Sequence, residues 1–337
     1  MLLSILSWLL AVLLLLAVLV IACLVLATLW IAAKAERLVP PVGKFIEIDG
    51  NRIHYVDQGE GRPIVFVHGL GAQLHHFGHT LFGRFGPGYR LIALDRPGSG
   101  YSVRARGATG RLPEQAEIVR RFIEALGLER PLVVGHSLGG AVALTLAVEH
   151  PEAISGIALL APLTHLEAGM REKSGLLNIP SRLRRWITAY TMAIPTSLRY
   201  ARPTMEFIFA PQAFPADYMV DAGGWLGLRP AHFYATSSDV VAVEQDLGRI
   251  EQRYGEIAMP AGILFGTADR VVDIRTHGEP MQSEIETLDF ESVDGLGHMP
   301  QFNEPERSIT FIKRIAARAF SEPTSNRLHN NFKEPFG

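Results

Sequence analysis

A serine with glycine two residues to either side, Gly135-His136-Ser137-Leu138-Gly139, follows the apolar run Pro131–Val134 and opens a stretch of small and apolar residues. A sharp strand-to-helix turn needs such small neighbours, because its central residue takes strained backbone angles while its hydroxyl projects from the sheet. Ser137 in that setting reads as a nucleophile. A hydroxyl is weak in that role at neutral pH, so it needs a histidine base held by a carboxylate. In the chain order serine, acid, histidine, Asp269 follows Ile263-Leu264-Phe265, and Asp273 four residues on is the reserve. His298 lies in Gly295-Leu296-Gly297-His298-Met299-Pro300, just past a strand expected to end at Val293, where glycines and a proline permit a tight loop back over the sheet. The oxyanion formed when a carbonyl is attacked needs two N–H donors already in place. Leu138, at the start of the expected helix, offers one, and Leu70, in His68-Gly69-Leu70-Gly71, offers the other.

Other residues receive plainer readings. His75 and His79 stand four apart, as metal ligands on one helical face do, but no nearby Asp, Glu or Cys completes a shell. We expect no metal and no cofactor. His136 reads as a packed structural residue and His68 as one that shapes its loop. Asp95-Arg96-Pro97-Gly98-Ser99-Gly100-Tyr101-Ser102 reads as a fixed structural loop near the site.

These groups need a scaffold that delivers several strand ends to one edge. Phe45–Ile48 and Ile53–Val56 alternate with period two around Asp49-Gly50-Asn51, which predicts a hairpin. Short continuous apolar runs follow at Ile64–Val67, Leu91–Leu94, Leu132–Val134 and Ile157–Leu160, as expected of strands buried on both faces. Helical patterns separate them at Leu112–Leu126 and Leu138–Glu149. Strand and helix in alternation imply a parallel sheet covered on both sides. The alternation breaks over Ala161–Glu256, read as an inserted helical cap, then resumes at Ile263–Phe265 and Thr287–Val293 with a last helix near Glu306–Phe320.

The 337 residues carry 32 Lys and Arg against 34 Asp and Glu, a formal net charge of -2. With no cationic surplus to displace counterions, nucleic acid is not an expected partner. Mean hydropathy is +0.16, and its source is local, since Met1–Ala33 contains no charged residue. Cys23 is the only cysteine, so no intramolecular disulfide and no multi-cysteine zinc site can form. The apolar run lacks a basic start and is longer than the roughly 7–15 residues of a signal-peptide core, so one transmembrane helix over residues 1–33 is expected. Trp8 and Trp30 would lie about 33 Å apart along it, close to a hydrocarbon core of about 30 Å. Ala33-Lys34-Ala35 imitates a cleavage site and leaves removal as the alternative. Lys34, Arg37 and Lys44 follow the helix, so the positive-inside rule puts the remainder in the cytoplasm. Residues 34–44, with Pro40-Pro41, read as a short linker.

In this order, the motifs resemble those of the α/β-hydrolase superfamily over roughly Phe45–Phe320. The resemblance implies an α/β fold with an eight-stranded, mostly parallel sheet, helices on both faces and an inserted helical cap. The core would comprise residues 45–161 and 257–320, the cap 162–256, and a disordered polar tail 321–337. It further implies Ser137, Asp269 and His298 as a catalytic triad, with the N–H groups of Leu70 and Leu138 as oxyanion hole. The Asp95–Ser102 loop and the cap are similar to those of epoxide hydrolases and haloalkane dehalogenases, which use Asp where this chain has Ser137; neither activity is expected. The elbow resembles those of carboxylesterases and lipases, and the apolar leader is similar to the anchor of membrane-bound monoacylglycerol lipases. The expected function is a membrane-anchored serine hydrolase cleaving a lipophilic carboxylic ester through an acyl-enzyme. Carbon-carbon bond hydrolysis, lactonase or perhydrolase/haloperoxidase chemistry on the same triad is the alternative among enzymes, and a catalytically silent binding module the alternative outside them.

Within the cap, between Arg171 and Arg202, the basic residues Arg171, Lys173, Arg182, Arg184, Arg185, Arg199 and Arg202 stand against a single acid, Glu172. Pro180-Ser181 predicts a helix start, and Leu183, Trp186, Ile187, Tyr190 and Ile194 recur at helical spacing before Pro195, expected to stop the helix. Either this stripe packs on the core with the charges solvated, or a basic amphipathic helix rests on anionic lipid.

Overall fold

The structure is a computed structural model that describes residues 2–167, 169–170 and 175–321. The apolar runs become strands: β1 (Lys44–Ile48), β2 (Asn51–Gly59), β3 (Arg62–Val67), β4 (Tyr89–Leu94), β5 (Leu132–His136), β6 (Gly156–Leu160), β7 (Ala261–Gly266) and β8 (Leu288–Val293). They form one sheet in the order β1-β2-β4-β3-β5-β6-β7-β8. β2 is antiparallel to β1 and β4, and the other pairs are parallel. The expected α/β-hydrolase fold is therefore the one found. At the hairpin, Asp49 and Gly50 take φ of 50° and 74°, the two left-handed residues that match the twist of the flanking strands.

Every residue of β5, β6 and β7 is buried, because helices cover both faces. The longer helices are α1 (Leu2–Leu38), α2 (Leu112–Ala125), α3 (Leu138–Glu149), α4 (Arg182–Thr188), α5 (Ile194–Phe209), α6 (Pro230–Ile250) and α7 (Pro305–Ala319). One face packs Val65, Val133 and Ile157 against α2 and α3; the other packs Phe66, Val134 and Ala158 with Phe311 and Ile312 of α7. The first helix runs past the expected Ala33 to Leu38, because Ala35 and Val39 continue a buried stripe begun by Thr28 and Ile31 while Arg37 stays exposed. Pro40-Pro41 then prevent continuation.

α4, α5 and α6 all lie between β6 and β7. Ser181 caps α4 as the sequence predicts, accepting from the Arg184 N–H. Pro195 does not stop the helix. A π-helical turn over Ala189–Ala193 joins α4 to α5, and Pro195 falls in the first turn of α5, where a missing N–H is tolerated. Arg171, Glu172, Lys173 and the tail from residue 322 lie outside the described residues.

The start of α3 presses on the end of β3: a Cβ at Gly139 would stand 2.0 Å from the Val67 carbonyl oxygen. Backbone cannot yield cheaply, so Gly139→Ala should cost about 3 kcal/mol in urea unfolding. Gly227→Ala, where nothing lies within 4 Å, should be near neutral, and equal losses at both sites would contradict the close approach.

Candidate active site

Ser137 links β5 to α3 with φ 52° and ψ -121°, a strained region for a residue with a side chain. Neighbouring strands and loops hold it there: its N–H donates to the Leu160 carbonyl, and its carbonyl accepts from the Gly140 and Leu163 N–H groups. Leu138 is the first residue of α3, so its N–H has no intrahelical acceptor and sits at the positive end of the helix. The loop after β3 passes alongside: a Cβ at Gly69 would stand 3.0 Å from Ser137 Cβ. The next N–H, that of Leu70, has no backbone acceptor among the described residues.

Asp269 and His298 are brought together. His298 Nδ1 lies 2.8 Å from Asp269 Oδ2, with both side chains buried, and Asp269 Oδ1 accepts from the Val271 and Val272 N–H groups at 2.8 and 3.0 Å. An ionised carboxylate only accepts, so Nδ1 is the donor in this pair. The Ser137 hydroxyl makes no hydrogen bond among the described residues, so the serine-histidine contact of the expected triad is not formed here. Asp273 is engaged elsewhere: it caps the short helix Ile274–His277 and pairs with Arg275 at 2.6 Å, which lowers its pKa below the usual carboxylate value.

His136 Nε2 donates to the His298 carbonyl at 2.9 Å, and the two rings lie 4.9 Å apart. Burial, reinforced by His298, pushes His136 well below the usual histidine range, leaving it neutral. His79 pairs with Asp217 and His76 with the Tyr218 hydroxyl, both in the insertion, and burial brings His76 down to about 3.

The Leu70 loop is held from below by Arg96. Its backbone N–H donates to His68 Nε2, its Nε to the His68 carbonyl and its Nη2 to the Gly69 carbonyl, each at 2.9 Å. Nη1 pairs with Asp239 of α6 at 2.8 Å and also meets Gln115 of α2, with Arg96 and Asp239 almost wholly shut off from water. Asp239 also binds Arg104 at 2.6 Å. The sequence reading missed Asp239 and Gln115. The signal for Asp239 was available: an acid at helical spacing from Thr236 and Val243, on the buried face of α6 that also carries Asp246.

Residues 62–305 match the alpha/beta hydrolase fold family. The dihydrolipoyllysine-residue acetyltransferase component of the acetoin cleaving system of Cupriavidus necator is 28% identical over 283 residues, 80% of this chain and 68% of that protein. The 2-hydroxy-6-oxo-6-phenylhexa-2,4-dienoate hydrolase of Burkholderia cepacia is 25% identical over 261 residues, 76% of this chain and 87% of that one. Among solved structures, a membrane phospholipase A described as a bacterial virulence factor superposes with a TM-score of 0.63 at 23% identity, covering 94% of this chain and 99% of that one. An esterase from Exiguobacterium antarcticum gives 0.65 at 22%, covering 82% and 100%. These likenesses establish the shared fold.

In the expected triad, nucleophile, base and acid would act as a unit, so Ser137→Ala and His298→Ala should each lower kcat for an activated ester about 10⁴-fold or more, and the double variant little further. Additive losses would contradict the assignment. Asp269→Asn should be similarly severe and Asp273→Asn nearly silent. Asp239→Asn leaves the Arg96 charge buried without its counter-charge and should cost about 3–5 kcal/mol in denaturant unfolding; a loss below about 1 kcal/mol would show that Arg96 is solvated in solution.

Proposed function

The chain belongs to the alpha/beta hydrolase fold family, and from that premise we propose that it is a membrane-anchored serine hydrolase cleaving a lipophilic carboxylic ester. The observation that carries this reading is the buried 2.8 Å Asp269–His298 pair, whose histidine ring lies 4.9 Å from that of His136, the residue preceding the strained Ser137. With a substrate carbonyl between Ser137 Oγ and the Leu70 and Leu138 N–H groups, His298 Nε2 takes the serine proton as Oγ attacks the carbon. Asp269 holds the imidazole and stabilises its cation. The tetrahedral intermediate collapses as His298 returns the proton to the leaving alcohol, and water, activated by the same histidine, releases the acid. Carbon-carbon bond hydrolysis on the same residues is the second reading, favoured by the dienoate hydrolase named among the relatives.

The anchor reading rests on α1. Leu3–Leu19 lies outside the protein body, whereas Thr28, Ile31, Ala35 and Val39 are buried in it. Cleavage near Ala35 would strip a packed helix from Ala189, Ala193 and Ile194, which favours retention over removal as a signal peptide. The likeness to the membrane phospholipase A supports the same reading, since 94% of this chain cannot be covered without part of α1. The positive-inside rule applied to Lys34, Arg37 and Lys44 supports a cytoplasmic orientation for the catalytic part. Membrane lipid and a lipophilic ester are the partners, and nucleic acid is not one.

A fluorophosphonate probe should label the full chain at Ser137 and leave Ser137→Ala unlabelled; absence of labelling would favour a silent binding module. Alkaline carbonate should leave the full chain in the membrane pellet and release a variant lacking residues 1–23, which keeps the packed part of α1. Release of both would remove the spanning helix from the proposal.

A further inference from the structure

α4 is turned the wrong way round for water. The residue it buries is Arg185, whose guanidinium donates to the Ile179 carbonyl and the Ser237 hydroxyl and lies over the Tyr234 ring. The residues it exposes are Leu183, Trp186 and Ile187, at 66, 54 and 47%. A helix on an aqueous surface does the reverse, since apolar side chains leave water while a guanidinium keeps its hydration. The outward apolar face continues through Met192 of the π turn.

This face is continuous with α1. Pro195 has no N–H to give the Thr191 carbonyl four residues back, and that carbonyl accepts from Thr28 Oγ1 of α1 at 3.0 Å. Ile31 packs against Ala189, Ala193 and Ile194 beside it. Thr28 lies about 3 Å along the helix axis from Trp30, one of the two tryptophans that bracket the hydrocarbon span. The π turn therefore meets α1 at the depth where acyl chains give way to headgroups.

We infer that α4 and the π turn lie in the bilayer leaflet beside α1, with Leu183, Trp186, Ile187 and Met192 among the upper acyl chains and the exposed Arg182 and Arg184 reaching headgroup phosphates. The inference rests on the anchor reading and deepens it: the partner of this face is bilayer phospholipid, held by apolar burial. It replaces both sequence readings of this segment. Leu183, Trp186 and Ile187 do not pack on the core, although Tyr190 and Ile194 of the same stripe do, and Arg185 is not free to meet anionic lipid. A lipophilic ester would then reach the cap from within the leaflet, without crossing water.

The test uses the full chain in phosphatidylcholine vesicles, with Trp8, Trp30 and Trp225 replaced by Phe so that Trp186 alone fluoresces. Lipids brominated at shallow acyl positions should quench Trp186 about twofold, deep ones less, and high salt should not relieve it. A companion protein retaining only Trp8 reports on α1. Quenching of Trp8 without Trp186 would overturn the inference and leave the anchor standing; quenching of neither would remove the anchor and the inference together. As a second readout, Leu183→Ser with Trp186→Ser should lower hydrolysis of a vesicle-borne ester about tenfold and leave a short water-soluble ester unaffected. Equal losses on both esters would mean these side chains serve the fold, and would also overturn it.

Discussion

A guanidinium without access to water holds the candidate oxyanion loop. Arg96 is among the largest fully buried side chains, and burial pulls its pKa down while Asp239 pulls it back up. An unpaired charge in that place would cost several kcal/mol, so the loop can hold its shape only while Asp239 stands opposite. Asp239 belongs to α6, which is part of the insertion between β6 and β7. The insertion is thus more than a cover over the site; it supplies the counter-charge on which the position of the Leu70 N–H depends. Two residues before Asp239, Ser237 takes the Arg185 guanidinium and gives its own hydrogen bond to the Leu177 carbonyl. The same stretch of α6 therefore connects the oxyanion loop to the helix whose apolar face turns outward.

The helices of the chain differ in what they turn outward. α2 buries Ile118, Val119 and Phe122 and sends Arg120 and Arg121 outward to pair with Glu117, as a helix between core and water should. α7 does the same with Ile309, Ile312 and Ile315 inward and Arg314 outward to Asp289 and Glu291. α1 exposes apolar side chains all round over its first part, and α4 exposes Leu183, Trp186 and Ile187 while burying Arg185. The proposed membrane contact accounts for helices of one chain obeying opposite rules. Those that break the aqueous rule are in contact with each other through Thr28 and the π turn.

Much of the fold was legible because strand runs, turn chemistry and helical periodicity are local. The Asp49-Gly50 turn, the buried strands and the helix Leu138–Glu149 each carry their signal within a few residues. The same holds for the candidate site: Ser137 is marked by its glycines, and Asp269 and His298 by their places just past strands. What escaped was non-local or depended on solvent. Asp239 meets Arg96 across 143 positions, and no periodicity announces that partnership. The Leu183 to Ile194 stripe has helical spacing, but spacing does not say which medium it faces. Pro195 misled because its usual effect assumes an α-helical hydrogen bond to the residue four back; the π turn before it and the hydroxyl of Thr28 removed that conflict.

Residues 34–44, read from sequence as a spacer, are clamped instead. Tyr101 donates through its hydroxyl to the Val39 carbonyl, His54 bridges the Val42 carbonyl and Asp95, and Arg229 pairs with Glu36 at 2.9 Å. Lys34 lies over the rings of Trp30 and Trp225. Asp95 and Tyr101 belong to the loop that also carries Arg96, and the Asp95 carboxylate further accepts from the Leu74 and Tyr101 N–H groups. One loop thus fastens α1 on one side and supports the Leu70 turn on the other. A free spacer would let the rest of the chain tumble relative to α1. A clamped helix removes that freedom: on the proposed anchor reading, the depth of α1 would set the depth of α4, and α6 and Arg96 tie α4 to the Leu70 loop beside Ser137.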